Sequence, residues 1–322
     1  MGDSDSQQNI EILHDFPPLL RVYKDGRIER LQDENVVPPD PDAETGVRCK
    51  DVQISPDPTV SARIFLPKTA RPGRKLPLLV YFHGGAFVSE SAFSPTYKKP
   101  LCLISAEANA VIVSVDYRLA PEHVIPACFD DSWLALKWVA SHSSSGGSGG
   151  EEWLKEYADL NRAFFGGDSA GGTIAHRMAI RVGLEGLDGI KLDGVFLNCP
   201  FFWGKDPVGE EGEVAAAMGS LIHILWELVN PKSSGLDDPL LNPTADPEFS
   251  SLGCKKVLVY VAEKDNLRRR GRHYTEVLVN SGWPGTAEVV EVKGEDHGFS
   301  VSSPTSDNSM AMVKKLATFI NK

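Results

Sequence analysis

The sequence has no run of about 18 consecutive apolar residues, the least that spans a bilayer as a helix, so no membrane contact is expected. Cysteine is sparse. Cys49, Cys102, Cys128, Cys199 and Cys254 are odd in number, scattered, and mostly inside apolar runs. Disulfide frameworks and zinc sites need closer spacing, so buried free thiols in a reducing, cytosol-like compartment are expected, with no metal. Positive charge is in deficit: 33 Lys and Arg against 44 Asp and Glu give a formal charge of −11. An acidic surface repels phosphate backbones, which argues against generic nucleic-acid binding. The N-terminal MGDSDSQQNIEILHDF lacks the basic patch and apolar stretch of a secretory signal. Met1-Gly2 with Ser6 formally fits a myristoylation pattern, but Asp3 and Asp5 mark it as coincidence. Asn242-Pro243-Thr244 is disqualified as a glycosylation sequon by its proline.

What remains is an ordinary globular composition, with 24% charged and 42% hydrophobic residues, which excludes global disorder and collagen-like or coiled-coil chains. Its 322 residues suffice for one large α/β domain or two small ones, with a sizeable core. Segments 60–66, 76–82, 111–115, 162–165, 194–198, 257–261 and 288–292 read as strands. Several, such as LPLLVYF and KVLVYVA, are apolar on both faces, as parallel strands covered above and below must be. Segments 127–141, 173–182 and 272–279 repeat apolar residues at helical spacing between them. The alternation predicts a doubly wound, mostly parallel sheet with functional loops at the carboxyl ends of its strands. Three stretches depart from this rhythm. Residues 1 to about 45 contain a hairpin turn at Asp25-Gly26 and end in a Pro-rich run. Residues 141–152, SHSSSGGSGGEE, read as a flexible surface loop. A helix over 213–230 sits between Gly- and Pro-rich flanks and, with the N-terminal arm, reads as a lid over the strand ends.

The strongest chemical signal is Gly167-Asp168-Ser169-Ala170-Gly171, directly after a predicted strand and before a predicted helix. Gly-x-Ser-x-Gly in that context is a sharp turn that projects the serine hydroxyl, with the Ala170 N–H at a helix start where it can meet an oxyanion. The bland alternative is a glycine turn with an idle serine. The second signal is His83-Gly84-Gly85-Ala86-Phe87 after LPLLVYF, where consecutive glycines let the amides of Gly84 and Gly85 approach a substrate oxygen. His83 reads as a structural residue that fixes this loop.

A serine nucleophile needs a base and the base an orienting carboxylate, following it in the order acid, then histidine. His176 lies about 10 Å along the helix that Ser169 begins and cannot reach it. His223 and His273 fall on helices and read as surface residues. His297 follows the strand AEVVEV in a turn-rich segment and is the candidate that topology selects. Asp265, after KVLVYVA, is the candidate acid; Glu263 is a weaker one, Asp296 points elsewhere, and Asp168 supports the elbow.

These motifs, with Asp116-Tyr117-Arg118-Leu119-Ala120-Pro121-Glu122-His123 and His297-Gly298-Phe299, resemble the hormone-sensitive-lipase-like branch of α/β-hydrolases. FPPLLRVYKDGRIERL and its Pro-rich sequel are similar to the plant carboxylesterase subgroup. The resemblance implies a single α/β-hydrolase domain over 1–322 with a helical cap from about 1–45 and about 203–245. It implies a Ser169–His297–Asp265 triad, an oxyanion hole from Gly84, Gly85 and Ala170, and hydrolysis of a small-molecule ester without cofactor, by a monomer or homodimer. Phe87, Phe202 and Trp203 are expected to line an acyl pocket; Phe201 is expected in the core. Relatives include gibberellin receptors, which lack the histidine that this chain keeps, and isoflavanone dehydratases, which commonly carry threonine at the nucleophile position. Alkaloid cyclases tend to have disrupted triads, whereas tuliposide-converting enzymes keep the triad for transesterification. One departure is local: Arg269 replaces the second acid of the usual Asp-x-Leu-x-Asp.

Overall fold

A computed structural model describes residues 11–32, 35–143, 150–209 and 211–322. The first ten residues, with the myristoylation pattern, and most of the Gly/Ser segment lie outside these. The chain opens with β1 (Ile12–Phe16), β2 (Leu20–Tyr23) and β3 (Ile28–Arg30), a small antiparallel sheet. The expected turn joins β2 to β3, and Gly26 takes a φ of 87° there.

All seven anticipated strands form, and an eighth joins them. They are β4 (Arg48–Pro56), β5 (Thr59–Leu66), β6 (Leu76–Phe82), β7 (Val111–Asp116), β8 (Ala158–Asp168), β9 (Leu192–Asn198), β10 (Lys256–Ala262) and β11 (Thr286–Val292). Their order is β11-β10-β9-β8-β6-β7-β5-β4. The six from β11 to β7 are parallel, and β5 and β4 close one edge antiparallel.

The helices are α1 (Pro95–Ala108), α2 (Ala127–Ala140), α3 (Glu152–Tyr157), α4 (Ala170–Glu185), α5 (Gly212–Val229), α6 (Arg268–Asn280), α7 (Phe299–Ser302) and α8 (Asp307–Asn321). Alternation along β6 shows how they are shared. Leu78, Val80 and Phe82 face a core with Leu136 of α2, Ile174 of α4 and Tyr274 of α6. Leu79 and Tyr81 face the other, with Leu101 of α1 and Leu316 of α8. Both faces are therefore covered, as apolar two-sided strands require.

Topology positions the site. From β6 the chain moves outward to β7, then returns to the other side of β6 as β8, so the strand order switches between β6 and β8. Phe82 pairs with Gly167 across this switch, and the loops after β6 and β8 leave the sheet side by side. Ala262 likewise pairs with Val292, which sets the loops after β10 and β11 together.

Candidate active site

Ser169 sits between β8 and α4 with φ 51° and ψ −119°. A left-handed non-glycine residue costs on the order of 1–3 kcal/mol and persists only when its surroundings over-determine it. Here they do: the Ser169 N–H donates to Asn198 O at 2.9 Å, and its carbonyl accepts from Phe201 N at 2.9 Å and Gly172 N at 3.0 Å. The flanking glycines are required by closeness. A Cβ on Gly171 would stand 2.0 Å from Phe82 O, and one on Gly167 2.3 Å from the Gly171 carbonyl carbon.

Ser169 Oγ lies 3.0 Å from His297 Nε2, and His297 Nδ1 lies 2.8 Å from Asp265 Oδ2. A carboxylate only accepts, so Nδ1 carries the proton and Nε2 is left to accept from the serine hydroxyl. Asp265 is buried, and its other oxygen takes the Leu267 N–H at 2.9 Å. Burial lowers the His297 pKa, but its hydrogen bond to Asp265 and the charge of that carboxylate outweigh this, and the imidazole titrates above its ordinary value. Its side chain remains 37% exposed.

The other candidates have different partners. Glu263 holds the histidine loop by accepting Gly294 N–H at 2.7 Å, and Asp296 accepts the His297 N–H at 2.7 Å. His176 is buried against Tyr274 and Phe202, and burial pushes its pKa down to about 3. His223 is half-buried on α5 beside Glu227. At Arg269 the acid loop closes without a second acid, through Asp265 N–H to Ala262 O and Lys264 N–H to Glu295 O.

The oxyanion loop needs one correction. The Gly84 N–H, expected to face substrate, donates to the Tyr97 hydroxyl at 2.7 Å, and Tyr97 donates onward to Asp168 at 2.9 Å. The amides of Gly85 and Ala86 have no acceptor among the described residues. Peptide planarity sets their direction, because C=O and N–H of a trans unit point oppositely. Gly84 O accepts from His83 Nδ1 at 2.9 Å and Tyr117 Oη at 3.3 Å. Gly85 O accepts from the N–H groups of Val88 at 2.9 Å and Ser89 at 3.0 Å. The Gly85 and Ala86 N–H groups therefore point away from these anchors. Ala170, whose amide was expected to join them, is the first residue of α4 and is fully buried.

Asp168, next to the serine, is buried under the hydroxyls of Tyr81 and Tyr97, and burial holds its pKa above the usual carboxylate value. His83 is buried and stacked on Tyr117 at 4.2 Å. Tyr97 carries no signal in the sequence, and Tyr117 and Ala86 stand there only as members of the two quoted motifs, with no role of their own.

The aromatic residues separate. Phe87 is buried beside the oxyanion loop, edge-on to Phe201 and to Trp226 of α5. Phe202 instead lies 5.0 Å from the Tyr274 ring in the core under α4 and α6, so it does not line the site. Trp203 is buried under the Arg270 guanidinium and borders a cleft of about 710 Å³ with Gly219 and His223 of α5.

Cys199 brings its sulfur within 4.8 Å of the Asp265 and His297 donor atoms, a set with metal-ligand character. Burial raises its thiol pKa, which keeps it protonated rather than the thiolate that a soft metal needs, and Asp265 and His297 are already bound to each other.

A family model described as the alpha/beta hydrolase fold matches residues 79–301. A 2-hydroxyisoflavanone dehydratase of Glycyrrhiza echinata is 46% identical over 317 residues, covering 96% of each chain. Probable carboxylesterase 13 of Arabidopsis thaliana is also 46% identical, over 324 residues that span 96% of this chain and 98% of its own. Among solved structures, an esterase of Pyrobaculum calidifontis superimposes with a TM-score of 0.69 at 29% identity, over 85% of this chain and 84% of that one.

Proposed function

Because the chain belongs to the α/β-hydrolase family, we propose that it is a serine carboxylesterase acting on small to medium, largely apolar carboxylic esters. The observation that carries this reading is the continuous relay Ser169–His297–Asp265, with links of 3.0 and 2.8 Å. His297 takes the Ser169 proton as the oxygen attacks the ester carbonyl, and Asp265 stabilises the imidazolium without accepting that proton. The tetrahedral oxyanion meets the amides of Gly85, Ala86 and Ala170, each such donor contributing about 2.7–4 kcal/mol to the transition state. His297 then gives the proton to the leaving alcohol, and water releases the acid by the same route in reverse.

An apolar acyl group is favoured by Phe87 and its aromatic neighbours beside the oxyanion loop. The cap is α5 with the N-terminal arm. All residues of the relay come from one chain, so a monomer suffices. The five unpaired, buried cysteines suit a reducing compartment.

Likeness to a dehydratase favours a second reading, elimination with His297 as base and no acyl-enzyme. Hydrolysis of p-nitrophenyl acetate through octanoate separates the two. Under the esterase reading Ser169→Ala and His297→Ala each lose about a million-fold in kcat. No wild-type turnover would sink that reading, and a Ser169→Ala enzyme that still eliminates water from a β-hydroxy ketone, whose proton α to the carbonyl His297 would remove as hydroxide leaves the β carbon, would install the other.

A further inference from the structure

Two consecutive non-glycine residues of the oxyanion loop, Ala86 and Phe87, have φ of 54° and 66°. Each such residue needs outside contacts to hold it. The turn's own bonds fix the Gly85 carbonyl, but the carbonyls of Phe87 and Val88 must be held from elsewhere. Phe87 O accepts from Ala120 N at 2.9 Å. Val88 O accepts from Arg30 Nε at 2.8 Å, across 58 residues of sequence. The same guanidinium donates to Ala120 O at 3.3 Å and clasps Glu122 through Nη1 and Nη2, both at 2.8 Å. Arg30 is the last residue of β3, so the small N-terminal sheet ends on a fork that ties Val88, in the loop after β6, to Ala120 and Glu122, in the loop after β7.

We infer that Arg30 is a positioning residue: the Arg30–Glu122 clasp holds Val88 and Ala120 so that the Gly85 and Ala86 amides keep the aim that oxyanion stabilisation requires. A planar five-donor fork suits this task, since a lysine ammonium satisfies one or two of these acceptors but not all. Glu122 fixes the fork's orientation, and the hydrogen bond from Arg30 holds its carboxyl below the usual range. The N-terminal arm on this account is part of the catalytic frame as well as a cover. The inference rests on the esterase reading.

The test compares wild type, Arg30→Ala, Arg30→Lys and Glu122→Gln on p-nitrophenyl butyrate, with thermal melts and with a trifluoromethyl ketone that forms a tetrahedral oxyanion on the serine. The Ala variant is expected to lose 10-fold or more in kcat with KM within two-fold. Affinity for the ketone should fall in step, and the acid limb of the pH profile should stay in place, because His297 is untouched. Lys should recover part of the loss, and Glu122→Gln should lose about three-fold. If Arg30→Ala does not fold, Glu122→Gln alone decides. Wild-type kcat and ketone affinity in the variants, or a loss confined to KM or melting temperature, would overturn the clasp while leaving the esterase reading intact. Absence of wild-type turnover would instead strike the esterase reading, and ketone affinity would still report on the clasp.

Discussion

Burial lowers the affinity of the His297 imidazole for a proton, while the hydrogen bond and charge of Asp265 raise it, and the second pair of effects prevails. A general base works only when neutral. kcat/KM should therefore fall as pH drops through a midpoint above the ordinary imidazole value of about 6.5. Asp265→Asn removes the two largest raising influences and leaves burial opposed only by the charges of Asp168 and Asp296, so the acid limb should move to lower pH. The rate on the plateau should drop about 10,000-fold, because the amide no longer enforces the Nδ1–H tautomer. A pH–rate series on the two proteins checks both signs at once. Tyr97 offers a contrasting case. Tyr97→Phe leaves the buried Gly84 N–H without its acceptor and Asp168 with Tyr81 as its one remaining tyrosine donor, at a cost of about 1–3 kcal/mol in urea unfolding. The acid limb should move far less than in Asp265→Asn, since Tyr97 acts on the His297 imidazole only through the charge of Asp168.

At the scale of elements, β6, β8 and α4 meet so closely that side chains are excluded between them. Gly171→Ala would put a methyl 2.0 Å from Phe82 O, backbone that cannot yield without shifting β6. We expect a loss on the order of 3 kcal/mol in denaturant melts, with esterase activity falling further because the elbow shifts with α4. Such crowding is what made the elbow legible: only glycine fits, so the motif survives in the sequence. The strands were legible for a related reason, since a strand such as β6, buried on both faces, must be apolar throughout. The edge strand β4, RCKDVQISP, alternates charge with half-buried positions and offers no apolar run. Helix α1 carries Pro100 and two lysines within its span, which hides its period. The misassigned Gly84 has a sharper lesson. Glycines announce that amides approach something, but not which amide. That choice falls to Tyr97, a side chain from α1, and to Asp168, which holds it. Phe202 failed similarly, because an aromatic residue past a strand end looks the same whether it turns to the core or to a pocket.

At the scale of the molecule, the sheet supplies the chemistry and the segments outside its repeat set what reaches it. Helix α5 packs Ile222, Leu225, Trp226 and Val229 into the main core, and the Ile125 N–H donates to Val229 O at 2.8 Å, binding the cap to the loop after β7. Trp226 is fully buried with its ring centroid 6.1 Å from that of Phe87, which follows the oxyanion amides. It thus joins α5 to the loop after β6. Trp226→Ala opens space beside Phe87 and removes an aromatic contact, at about 3–5 kcal/mol of stability. Ester length reads the consequence in activity. The ratio of kcat/KM for p-nitrophenyl octanoate over acetate should rise several-fold, because the added volume admits a longer chain and leaves the acetate site as it was. The acid limb of the profile should stay fixed, as His297 is untouched. A ratio that stays constant while both rates fall would place Trp226 among residues that only support the fold, and would move the acyl pocket away from Phe87.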